Sequence, residues 1–159
     1  MSGKDNAPEE LVVHGTANSQ SFSSGSMTGT VVFASDTLLA RSKELIDNGD
    51  FSISVIVAVM ACEIGVEIAV SHLIISRGIE YLREVLFQNY SLMTGRTKKI
   101  FNALTGEEVQ QMPFWPDFNS SVVLRNDTVH RWRDVTREEA EKAHRAASEL
   151  LTYLRKWSV

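Results

Sequence analysis

The chain has 159 residues, with 16 Lys and Arg against 20 Asp and Glu, for a formal net charge of −4. Hydrophobic residues make up 43% and charged residues 23%, the usage of an ordinary folded domain, which excludes wholesale disorder and fibrous repeats. The single cysteine, Cys62, excludes an intramolecular disulfide framework and a cysteine-rich zinc site, and it fits a reducing, cytoplasmic setting.

Taken in chain order, residues 1–34 are rich in Ser, Thr, Gly and Asn and hold two short β-branched runs, LVVH and TVVFA. These runs predict either a β-hairpin or a flexible tail whose apolar ends dock on the body. No basic region followed by an apolar core opens the chain, so no secretory signal is expected. The helical body is expected over 35–159. Ser35 or Asp36 can cap DTLLARSKELIDN, whose Leu38, Leu39, Leu45 and Ile46 recur at helical spacing. Asn48-Gly49 signals the end of that helix, and Asp50 is the candidate cap of the next.

The run from Phe51 to Ile75 is long enough to span a bilayer but contains Glu63, Glu67 and His72. Each charge at a membrane centre costs roughly 2.5–3.5 kcal/mol even on a lenient scale, so a buried central helix is expected and no membrane partner. Cys62 is then a buried thiol, and Glu63 and Glu67 neutralise basic groups inside the bundle, because buried carboxylates need partners. His72 reads as a core residue and His144 as a surface one.

A third helix is predicted over IEYLREVLFQNY and a short one around KKIFNAL, closed by Thr105-Gly106. EEVQQMPFWP reads as a turn-rich connector, and DFNSSVVLRNDTV as a helix starting after Pro116. Thr136-Arg137-Glu138-Glu139 is a capping box opening a last helix whose Ala140, Ala143, Ala147, Leu150, Leu151 and Leu154 form one apolar stripe. The expected fold is an all-α, up-and-down helical bundle with a short N-terminal extension.

His14, His72, His130 and His144 are far apart, and none sits at a paired-ligand spacing. There is no glycine-rich phosphate loop and no nucleophile elbow, so no metal and no cofactor is expected. One segment stands apart, Leu124-Arg125-Asn126-Asp127-Thr128-Val129-His130-Arg131-Trp132-Arg133. It joins a fixed cation, a titratable imidazole, an amide and an indole between two further arginines. It lies in the basic part of an uneven chain, since residues 1–90 sum to −6 and residues 91–159 to +2.

Arg125-Asn126 followed by His130 resembles the Arg-to-His motif of HEPN domains, in its form with a polar residue directly after the arginine. SDTLLARSKELIDNGDFSISVIVAVMACEIGVEIAV is similar to that family's first helical pair, with Glu63 as the acidic residue midway along the second helix. The run VTREEAE opening a long final helix adds to the likeness, which covers roughly residues 36–157. The spacing alone is weakly specific. Its weight comes from its position between two predicted helices, in a bundle of matching length and helix order.

The resemblance implies a metal-independent endoribonuclease acting as a homodimer, a toxin or defence effector with an antitoxin partner. The residues are compatible with RNA cleavage through the 2′-hydroxyl, leaving a 2′,3′-cyclic phosphate and a 5′-hydroxyl. His130 can exchange protons near neutral pH, and Arg125 presents a planar fork to phosphate oxygens. Arg125 and His130 fall roughly 140° apart on a continuous helix. Either the helix ends between them, or the site is composed at a two-fold interface; the resemblance favours the second solution. Asn126 shares a face with His130 and can orient the imidazole or contact phosphate, while Arg131 and Arg133 can contact the RNA backbone and Trp132 can offer a base-stacking surface.

Each of these residues also has a plainer reading. Arg125 can form a structural ion pair with Glu63, Glu67 or Asp127, His130 can satisfy carbonyls at a helix end, and Asn126 can cap locally. Trp132 reads as packing more than stacking. At the level of the whole chain, the alternatives to an enzyme are a non-catalytic module that binds RNA, a nucleotide or a protein, and a structural adaptor.

Overall fold

The computed structural model describes residues 33–86 and 91–158, all within one unit that spans Val31–Val159. The expected hairpin or tail before residue 33 lies outside the described residues. Among the described residues six α-helices follow one another: α1 Ala34–Asn48, α2 Phe51–Ser76, α3 Arg83–Leu86, α4 Gly95–Thr105, α5 Trp115–Arg131 and α6 Arg137–Leu154. Short 3-10 turns cover Glu80–Leu82, Val109–Gln111 and Arg155–Trp157, and no strand occurs among the described residues. The all-α bundle is therefore as expected.

The ends of the helices explain their lengths. Gly49 closes α1 at φ 88°, a left-handed conformation that carries no Cβ penalty there, so α2 turns back directly against α1. Asp50 makes no side-chain cap, nor does Ser35 or Asp36; the backbone of Phe33 starts α1 instead. Asp36 sits in the first turn, where its carboxylate accepts from Arg155 at 2.9 Å and ties α1 to the end of α6. Thr94 caps α4 and Gly106 closes it in the left-handed conformation. Pro116 lies inside the first turn of α5, where no amide hydrogen is needed, so that helix begins one residue before the proline. The capping box of α6 is present in full, Thr136 and Glu139 each satisfying the other's backbone. The predicted third helix is shorter than expected: Gly78, at φ 64°, breaks the chain after α2, and within 79–86 only Arg83–Leu86 is α-helical. Residues 87–90 of that prediction lie outside the described residues.

The core forms where α1, α5 and α6 pack on α2. Cys62, Val66, Ala69, Val70 and Ile74 point inward from α2, and Ala147, Leu150, Leu151 and Leu154 from α6. Fully burying one such leucine or valine contributes about 1.5–3 kcal/mol, so the two stripes carry most of the stability. Gly65 permits the closest approach of the two helices, since an added Cβ would collide with the tip of Leu151. Helix α2 is long and apolar enough to cross a membrane, but more than half of its apolar window is buried inside the bundle. Its two glutamates are paired, Glu63 with Arg125 and Glu67 with Arg83.

Two histidines differ from expectation. His72 is exposed, because Val70, Leu73 and Ile74 take the inward face of the last turns of α2. His144 is half-buried, sitting on the flank of the inward stripe of α6 that faces α1.

Candidate functional site at the end of the fifth helix

Phe118, Ser121, Val122, Leu124 and Thr128 bury one side of α5. At about 100° per residue, the opposite side is a narrow stripe of Asn119, Val123, Asn126 and His130. Val123, Asn126 and His130 are exposed, and His130 makes no hydrogen bond or ion pair with any described residue. Helix α5 runs unbroken through Arg131, so the whole Arg125-to-His130 motif lies inside it and not between two helices. A helix end between the two groups is thereby removed, and the roughly 140° separation stands.

Arg125 leaves α5 on the flank toward α2. Its Nη2 donates to Oε1 of Glu63 at 2.7 Å, with the two side chains 24% and 37% exposed. Arg125 Nε is buried and has no hydrogen-bond partner. The ion pair read from the sequence as a plainer alternative is thus formed, with Glu63 as the partner. The other arginines are paired too. Arg131 reaches Asp127 one turn back at 3.0 Å, and Arg133 donates to Glu139 at 2.6 Å. Arg133 thereby joins the capping box of α6 and lines a cavity of about 180 Å³ with Ser120, Ser121, Leu124, Glu139 and Lys142. The basic cluster is internally compensated, and only the imidazole of His130 is left uncommitted.

Trp132 follows as the C-terminal cap of α5, at φ 54° and ψ 36°, and is 91% exposed. The expectation that it packs is overturned: the left-handed backbone turns the indole away from the bundle. Nothing in the sequence marks this, because glycine is the usual residue at such a cap. The sequence also gave no sign of a polar knot between α1, α2 and α6. The hydroxyls of Ser42 and Ser54 lie 3.0 Å apart, Ser54 donates to the Ser42 carbonyl at 2.9 Å, and His144 Nδ1 sits 3.3 Å from the Ser42 hydroxyl. Burial, with Lys43 nearby, holds the His144 imidazole below the ordinary histidine range, against a smaller opposing pull from Asp47. Burial likewise pushes the Cys62 thiol far up, so it is inert, as expected of a core thiol.

No family model, curated protein or solved structure matches the chain.

Proposed function

We propose that the chain is a metal-independent endoribonuclease of HEPN type, working as a homodimer in the cytoplasm. The observation that carries this reading is His130: an exposed, unpartnered imidazole on one face with Asn126, one to two turns along the same helix from an arginine anchored by Glu63. In the reaction, His130 takes the proton of the RNA 2′-hydroxyl, whose oxygen attacks the adjacent phosphorus. The bond from phosphorus to the 5′-oxygen breaks and that oxygen takes a proton from solvent, giving a 2′,3′-cyclic phosphate and a 5′-hydroxyl. Arg125 stabilises the charge gathering on the phosphate oxygens, and Asn126, on the same face as His130, contacts a phosphate oxygen.

Because Arg125 and His130 diverge on one helix, a complete site needs a second copy facing the first. The surface beside the motif supports this. Ile53 and Met60 of α2 and Val123 and Val129 of α5 are all large, apolar and 43–52% exposed, on the two helices joined by the Arg125–Glu63 pair. The test is cleavage of single-stranded RNA in excess EDTA by the wild type, by Arg125→Ala and by His130→Ala. Both substitutions are expected to abolish cleavage while leaving the fold intact.

A second reading rests on a different observation. The carboxylate partner on each of Arg125, Arg131 and Arg133 favours a non-catalytic module of the same fold. Such a module would bind RNA without cleaving it over long incubation.

A further inference from the structure

We propose that Trp132 is a stacking platform for an unpaired RNA base next to the reacting phosphate. This rests on the ribonuclease reading above, but it is carried by separate observations. The chain has three tryptophans. Trp115 packs against Phe118 under Lys98, and Trp157 packs against Phe101 and Tyr153 under Lys156. Trp132 touches no aromatic ring and no cation among the described residues, and it is the most exposed large apolar side chain described.

Its backbone is equally unusual. Gly49, Gly78 and Gly106 hold the other positive-φ positions, and Trp132 is the only non-glycine among the described residues to do so. A bulky residue there is strained, and the strain is held in place by the amides of Trp132 and Arg133, both aimed at the carbonyl of Asp127. The indole is thus fixed outward, two residues from His130. Its neighbours are already anchored, Arg131 to Asp127 and Arg133 to Glu139, and neither lies over the ring.

The chemistry of this end selects the ligand. The last carbonyls of α5 carry partial negative charge, which disfavours a phosphate seated directly on the helix end. A neutral base face meets no such penalty, and every base has one. Arg131, 77% exposed on the preceding turn, can then follow the adjoining phosphate. An exposed indole with a cation one residue before it matches the base–phosphate alternation of a single strand.

The experiment uses the full chain and a 2′-O-methyl RNA oligonucleotide, which cannot react through its 2′-oxygen. Binding is read by tryptophan fluorescence and by anisotropy, for the wild type and for Trp132→Phe, Trp132→Ala and Trp132→Gly. Trp132→Gly relieves the backbone strain, so it folds and melts higher than the wild type. Expected are quenching in the wild type, near-normal affinity in Trp132→Phe, and affinity lower by roughly ten-fold or more in Trp132→Ala and Trp132→Gly. On cleavable RNA the same two variants raise KM more than they lower kcat. Wild-type affinity in Trp132→Gly overturns the inference, and so does a change in its oligomeric mass, which would assign the indole to a protein interface. Trp132-dependent binding without cleavage by the wild type supports this inference and sinks the ribonuclease reading alone. Cleavage with an unchanged KM in Trp132→Gly does the reverse.

Discussion

Arg125 of α5 and Glu63 of α2 meet at 2.7 Å although 62 residues separate them in sequence. The pair joins the two helices, and it fixes the direction of a side chain that would otherwise have many rotamers. Because both groups are partly exposed, solvent screening limits its worth. A double-mutant cycle on Arg125→Ala and Glu63→Ala, followed by urea unfolding, is expected to give a coupling of about 1 kcal/mol. Arg125→Lys keeps the charge but loses the fork. It should leave stability within about 1 kcal/mol while lowering RNA cleavage at least ten-fold.

The start of α6 is a second point of leverage. Thr136→Ala removes one half of the capping box and should cost about 1 kcal/mol in chemical denaturation. Glu139 is held below the usual carboxylate range, chiefly by its hydrogen bond from the Thr136 backbone, with Arg133 adding to it. A depressed carboxylate contributes stability above its unfolded value of about 4 and loses it as pH falls through the lower folded value. Acid unfolding of Glu139→Gln should therefore depend less on pH below about 4 than that of the wild type.

His144 acts in a higher window. Its folded pKa is depressed, so the unfolded chain binds the proton more readily and stability falls as pH drops below about 6.5. Melting temperature should decline between pH 7 and pH 5, and His144→Gln should flatten that slope. A wild-type curve no steeper than that of the variant would contradict the role given to the Ser42–Ser54–His144 contact.

Packing at Gly65 separates two substitutions. In Gly65→Ala the new methyl group collides with the tip of Leu151 and touches that of Leu154, both ends of flexible side chains, and the gain in helix propensity offsets part of the shift. Gly65→Val adds atoms that the α2–α6 contact cannot take, and should cost about 1–3 kcal/mol in thermal or urea unfolding.

Much of the bundle was legible because its signals are periodic or punctuating. The alanine-leucine stripe of α6, the capping box, the apolar α2 and the Gly49 and Gly106 stops all act over one or two turns. What was not legible depends on tertiary geometry. Whether Arg125 meets Glu63, Glu67 or Asp127 is set by how α5 lies on α2. His72 is exposed and His144 half-buried, each against expectation, because each sits at the edge of a stripe, where a small rotation of the helix decides burial. Trp132 reads as packing because tryptophan usually packs, and its left-handed cap has no marker in a sequence without glycine at that position. Of the candidate site, Asn126 and His130 share a face as their spacing requires, whereas Arg133 is drawn toward α6 by Glu139.

Cleavage of RNA by His130 and Arg125 through its own 2′-hydroxyl is read from the ends left on a single-stranded RNA in excess EDTA. Expected are 2′,3′-cyclic phosphate and 5′-hydroxyl ends from the wild type, no cleavage at a linkage carrying a 2′-O-methyl group, and no products from His130→Ala. Products with 5′-phosphate ends, or cleavage by His130→Ala at the wild-type rate, would contradict it.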